Sequence, residues 1–318
     1  MPAHPTLLEI IKARAVLRSH LRPTPLYRSP AFSQMLGVEL FIKYENHQPI
    51  RSFKLRGALY RLSLLSEEER AHGVITASTG NHGQGIAYAA NALGVPATVI
   101  VPHGTPAVKT EPIQLLDARL IVFGHDIAEG FDRAKELAQE SGMVYIEDGD
   151  DAGLMAGAGT IGLEVIEELP ETEVIVVPVG GGNLIAGLAL AVKGLSPNVR
   201  IVGVQAEKAP SVFLSWRQGH LVTTESCDTF AGGLATRYPG GLAFEVLKAL
   251  VDDIDLVTED EMWQAIPLIL EKTGYIAEGA GAAPFALCLK RARAWAGQRV
   301  VVIFSGGNLA PEMLREMM

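Results

Sequence analysis

The chain has little of what marks a secreted, membrane-bound or nucleic-acid-binding protein. Only two cysteines, Cys227 and Cys288, occur in 318 residues. They lie far apart and show no ligand spacing, which argues against a disulfide framework or a thiolate metal site and for a reducing compartment. Basic residues number 27 against 36 acids, a net charge of −9, and no basic stripe is present. That balance excludes a nucleic-acid surface. No run of about 18 apolar residues occurs, and residues 1–6 contain no apolar signal core. No membrane or nucleic-acid partner is expected, and a cytoplasmic protein is the default. Fixed-period repeats and low-complexity tracts are also missing.

What remains is an ordinary folded composition, 48% hydrophobic and 20% charged, long enough for one large domain or two smaller ones. Short apolar runs alternate with amphipathic stretches. Residues 74–77, 97–101, 120–123, 144–146, 174–179, 200–205 and 299–304 read as strands. Residues 86–93, stopped by Gly94 and Pro96, and 126–141 read as helices. Continuous apolar strands between helices predict an α/β fold with parallel sheets covered on both faces. Ligands of such sheets bind beyond the carboxyl ends of the strands, so the loops there are the place to look.

Three of those loops are unusual. The first, 78–85, runs Ser-Thr-Gly-Asn-His-Gly-Gln-Gly after a strand and opens a helix. Its free N–H groups, hydroxyls, amide and imidazole suit a carboxylate or phosphate, although a capped glycine turn also uses such residues. The second, Gly180, Gly181 and Gly182 followed by Asn183 and Leu184, lets backbone approach a phosphate closely. Glu207 after the next strand keeps a dinucleotide-binding reading open, but Ile185 stands where the third glycine of that fingerprint belongs. The third is Ser305-Gly306-Gly307-Asn308 after the last strand, where Ser305 either caps a helix or bonds a ligand. Lys54 stands apart from these loops, two residues after Ser52, a good N-cap for the helix that follows. A cation is disfavoured at a helix start, and a neutral amine can attack a carbonyl to form a Schiff base. An isolated surface lysine would be the plain alternative.

Taken together, residues 52–58, 78–85, 180–184, 278–282 and 305–308 resemble the fold-type II pyridoxal-phosphate enzymes. The resemblance is to the serine/threonine dehydratase (ammonia-lyase) and serine racemase branch. The blocks occur in the family's order and span nearly the whole chain. The resemblance implies two α/β domains, each with a mostly parallel open sheet, and the active site in the cleft between them. Residues 1–72 plus 148–318 would form the large cofactor-binding domain and 73–147 a small inserted one. Lys54 would hold pyridoxal 5′-phosphate covalently, with Phe53 backing the ring. Asn81 would bond the ring's 3′ oxygen, and Ser305 would face the pyridine nitrogen. Gly180, Gly181, Gly182, Asn183 and Leu184 would take the phosphate, while Ser78, Thr79, Gly80 and His82 would hold the substrate carboxylate. The implied reaction is β-elimination from a 3-hydroxy amino acid, L-threonine or L-serine first, giving a 2-keto acid and ammonia. Lys54 then acts as base at Cα, and the cofactor spreads the resulting charge. Hydroxyaspartate or phenylserine, amino-acid racemisation, and a small-molecule-binding or NAD-dependent protein of similar layering are the alternatives. A homodimer is implied by the family.

Several positions depart from the family's pattern. Arg51 stands where glycine is usual before Ser-Phe-Lys, and Asn183 replaces the phosphate loop's fourth glycine. Gly232 replaces an aspartate and Ala158 a glutamine. The branch's divalent-cation site uses a Glu and an Asp where this chain has Gln205 and Ser211, so no metal is expected. Thr79 carries the hydroxyl that racemases of the branch place opposite the lysine, on a stiffer side chain. The chain stops soon after Ser305, and control through an added C-terminal regulatory domain is not expected.

Overall fold

A computed structural model describes residues 4–105 and 107–317. Met1 to Ala3, part of the N-terminal stretch read above, lie outside the described residues. Among the described residues, ten strands form two open sheets. In chain order they are β1 (Leu26–Arg28), β2 (Glu39–Tyr44), β3 (Val74–Ala77), β4 (Ala97–Val101), β5 (Arg119–Val122), β6 (Val144–Tyr145), β7 (Val174–Pro178), β8 (Arg200–Ala206), β9 (Asp253–Val257) and β10 (Arg299–Phe304). The larger sheet has the order β1-β2-β10-β7-β8-β9, the smaller β5-β4-β3-β6. All pairings are parallel except β1 with β2. The expected two-domain α/β architecture is therefore present.

The central strands are apolar throughout because both faces are covered. Side chains alternate between two cores, as a pleated strand requires. Val174, Val176, Val300, Val302 and Phe304 enter one core. Ile175, Val177, Val301 and Ile303 enter the other. Three strands escape the sequence reading. In β2 the buried Lys43 interrupts the apolar pattern. Acids alternate along β9, and β1 is a three-residue edge strand.

Two helix starts also differ from expectation. The helix of residues 86–93 begins at Asn81, so the polar, glycine-rich loop supplies its first turns. Glycine's poor helix propensity hid this. Gly83 fits there because a Cβ would press on the Ser78 carbonyl oxygen at 3.0 Å. The helix Lys54–Ser63 is preceded by Phe53 in helical geometry, not by Ser52. Ser52 instead bridges Gly306 and accepts the Lys54 N–H at 3.4 Å. Arg51 adopts φ 54, a left-handed conformation that costs a side-chain-bearing residue about 1–2 kcal/mol and explains why glycine is usual there.

Three helices stack with backbones nearly touching: Lys54–Ser63, Ala152–Glu168 and Asn183–Leu195. A Cβ at Gly157 would lie 2.6 Å from the Gly57 Cα, and one at Gly187 would lie 2.8 Å from the Gly159 nitrogen. Two residues along from Lys54, Arg56 is buried and donates to both carboxylate oxygens of Glu45 at 2.8 Å and to Glu164 at 2.6 and 2.8 Å. Lys43 pairs with Glu164 at 2.8 Å, and Thr160 accepts from Arg56 at 3.1 Å. Burial pushes the Glu164 carboxyl up, but Arg56 and Lys43 together hold it below the usual carboxylate range. Removing one partner leaves a buried charge uncompensated.

Glu164→Gln is accordingly expected to lower stability by about 3–5 kcal/mol at neutral pH, measured by denaturant unfolding. Because the folded carboxyl is depressed, its contribution exists above its ordinary value and is lost as pH falls through the folded one. Wild type should lose this increment as pH drops below about 4.5, and the variant should show a flatter profile there.

Candidate active site

Four loops meet at the carboxyl ends of strands from both sheets, where open α/β sheets bind ligands. They follow β3, β6, β7 and β10. Lys54 comes to the same place from the amino end of its helix, carried there by the glycine-mediated stack.

The loop after β7 turns through Gly182 at φ 111 into the helix Asn183–Leu195. Among the described residues, no protein acceptor meets the backbone N–H of Gly180, Gly181, Gly182, Asn183 or Leu184. Gly180 leaves no room for a side chain, since a Cβ would lie 2.5 Å from the Gly233 carbonyl oxygen. Free amides at a helix start make an anion cradle. The Asn183 side chain turns into the site, donating through Nδ2 to the Asp148 carbonyl at 2.8 Å.

In the loop after β3, Ser78, Thr79 and Gly80 are half-buried at the rim. Ser78 Oγ accepts the Gly80 N–H at 3.2 Å. His82 is brought near but lies beneath this rim, buried. Its Nε2 sits 3.1 Å from Thr76 Oγ1, and Nδ1 faces Asp148 Oδ1 at 3.4 Å. Burial pushes its pKa down, opposed by Asp148. Asn81 Nδ2 donates to Glu278 Oε1 at 2.7 Å, and Asn81 Oδ1 accepts from Asn308 Nδ2 at 2.7 Å. The loop after β10 is thus bonded to the loop after β3. Ser305 is buried there, and its carbonyl accepts the Phe53 N–H at 3.0 Å. Phe53 is half-buried, with its ring centre 5.3 Å from Lys54 Nζ.

The structure adds two carboxylates to which the sequence assigned no role. Asp148, in the loop after β6, is ion-paired with Lys54 Nζ. Its place just past a strand end was the one available signal. Glu278 opens the helix Gly279–Arg291, and burial pushes its carboxyl up to about 7, against hydrogen bonds from Asn81 and the Asn308 N–H. Lys54 is therefore no solitary amine at a helix start but faces an anion. At the expected metal positions, Gln205 accepts the Phe213 N–H at 2.9 Å and Ser211 donates to the Thr236 carbonyl at 3.0 Å. No group of three or more His, Cys, Asp or Glu suited to a metal occurs among the described residues. No helix among them is long and apolar enough to cross a membrane.

An amine and an anion cradle at the strand ends where the two sheets meet define a carbonyl-binding α/β enzyme. The model of the pyridoxal-phosphate dependent enzyme family matches residues 17–306, and the chain belongs to that family. It is 41% identical over 309 residues to an L-threonine ammonia-lyase of Thermotoga maritima, covering 97% of this chain and 77% of that one. The processed form of threonine deaminase isoform 2 from Solanum lycopersicum superposes with a TM-score of 0.93 at 34% identity, over 100% of this chain and 95% of that one. Maize serine racemase superposes with a TM-score of 0.94 at 32% identity, over 99% and 97%. These matches bear out the resemblance to fold-type II enzymes and set the dinucleotide reading aside. The residues present suit pyridoxal phosphate: the Lys54 amine shares a cavity with Asn183 of the free helix-start amides, and a buried serine follows the neighbouring strand.

The Glu278 carboxyl generates a stability signature with a definite sign. The unfolded chain releases that proton first, so folding stability should fall as pH rises from about 4.5 through about 7. In Glu278→Gln that decline should be absent when thermal unfolding is followed across the same range.

Proposed function

We propose that this protein is a pyridoxal-phosphate-dependent ammonia-lyase that eliminates water from L-threonine or L-serine, yielding a 2-keto acid and ammonia. The observation that carries this reading is the small cavity that Lys54 shares with Phe53, His82 and Asn183, residues of three separate sequence blocks. The names and identities of the L-threonine ammonia-lyase and threonine deaminase relatives support it.

Lys54 would carry the cofactor and, once released, act as base at Cα. The amides of residues 180–184 would hold its phosphate, Asn81 and Ser305 its ring, and Phe53 one ring face. When bound, pyridoxal phosphate supplies the electron sink for charge left at Cα. The start of the helix Asn81–Leu93, with Ser78, Thr79 and Gly80, would hold the substrate carboxylate through its dipole and free amides. His82, buried beneath, would fix the geometry of that turn. The Thr79 hydroxyl gives racemisation a residue to work with, which makes it the competing outcome of the same assay. We further propose that residues 73–147 form the inserted small domain, supported by the four-stranded sheet they contain. A homodimer in the cytoplasm is proposed on family membership and on the scarcity of cysteine.

Incubation of the purified protein with L-serine and L-threonine, following both keto acid and D-isomer, tests the reading. Keto acid should dominate. Lys54→Ala should lower kcat by at least about 10²–10⁴-fold, the worth of a positioned base, and should abolish the visible cofactor band. D-isomer in excess of keto acid would replace elimination by racemisation.

A further inference from the structure

Asp148 is the charged group closest to the reactive amine, and the reading above leaves it without a task. It lies just past the end of β6 and is held from three sides. Its carboxylate is ion-paired with Lys54 Nζ. The same oxygen lies 3.4 Å from His82 Nδ1. Its carbonyl accepts from the Asn183 amide at 2.8 Å, which ties it to the anion cradle. The carboxylate is half-buried and lines the same small cavity as Phe53, Lys54, His82 and Asn183. Burial pushes its pKa up, but Lys54 and His82 together hold it below the usual range, so it stays ionised.

The neighbouring acids are committed elsewhere. Asp150 accepts the Leu242 N–H at 2.7 Å at the start of the helix Gly241–Leu250. Asp151 pairs with Arg61 at 2.7 Å. Glu278 accepts from Asn81 at 2.7 Å. Lys109 is the further cation whose charge reaches Glu278.

We propose that Asp148 is the ammonium dock of the site. It holds the Lys54 nitrogen and, when Lys54 is linked to the cofactor, it holds the α-ammonium of the incoming amino acid. The proposal rests on the amino-acid reading of the site. Its logic is complementarity. An amino acid arrives as a zwitterion. The helix start at residues 78–82 offers positive dipole to its carboxylate, and Asp148 touches His82 of that same turn. Opposite charges on the ligand thus meet opposite charges on adjacent parts of the protein. Asp148 acts as a positioning and specificity residue, and no proton or bond needs to be transferred to it.

The test uses the cofactor-loaded enzyme and L-alanine, which carries the ammonium and carboxylate but has no 3-hydroxyl to eliminate. Titrating L-alanine against the visible cofactor band gives a Kd independent of turnover. Asp148→Asn keeps the shape and removes the charge. It should weaken L-alanine binding by about tenfold, the size of one partly buried ion pair. KM for the reacting substrate should rise in parallel, with kcat changed less, and Asp148→Glu should recover part of the loss. Band intensity and thermal midpoint should match wild type. Unchanged L-alanine affinity in Asp148→Asn overturns the proposal. So does loss of the cofactor band in that variant, which would make Asp148 a cofactor-retention residue. Should wild type form no keto acid while L-alanine still binds through Asp148, the substrate reading falls and the dock stands.

Discussion

The geometry of the site depends on backbone approaching backbone across three helices. Gly57 against Gly157, and Gly159 against Gly187, leave no room for even a methyl group. That contact fixes the first turn of the lysine helix against the helix that opens at the glycine cradle. Two groups far apart in sequence, an amine and a row of free amides, are thereby held in one place. The cost of making the lysine helix part of this stack is a buried arginine. Its charge and that of the buried Lys43 are balanced by two glutamates, Glu45 and Glu164. Such a network stabilises little by its presence but is expensive to break. It therefore anchors the helix in one register.

The chemistry follows from where the charges fall. Two helix starts converge on the cleft, and both present unpaired donors or dipole to anions. Around the amine, the protein adds two carboxylates in opposite protonation tendencies. Asp148 is kept ionised chiefly by Lys54, against its own burial, and Glu278 is pushed towards neutrality by burial. Ser305, the residue proposed to face the pyridine nitrogen, has no charge to offer and is buried.

Much of this was legible in the chain and some was not, for physical reasons. Strands such as Val174–Pro178 and Arg299–Phe304 announce themselves because burial on both faces demands unbroken β-branched runs. Glu39–Tyr44 does not, because its Lys43 is buried by pairing with a glutamate distant in sequence. The helix start at Asn81 was hidden by glycines selected for close approach rather than for helix formation. The loops carrying the cradle were readable, since their composition reflects a local backbone need. Asp148 was not, because nothing in Glu147-Asp148-Gly149-Asp150 says that Lys54 lies across the cleft. Arg51 illustrates an intermediate case. The oddity of a side chain in place of glycine was visible, and the positive φ supplies its meaning.

The lysine helix belongs to both halves of the molecule. Its Leu55, Leu59 and Leu62, with Ile50 and Leu65 beside them, are buried in the core that also holds Val74, Val99 and Val101 of the small sheet. Its Gly57 and Arg56 are locked into the large one. Grafting the insert from a relative onto this scaffold would therefore cut through a shared wall. A chimera joined at residues 73 and 147 would pair foreign strands with native leucines. A graft that carried residues 50–65 along would keep that interior intact and move the mismatch to the glycine seam, where backbone contacts and the ion pairs of Arg56 with Glu45 and Glu164 must be kept.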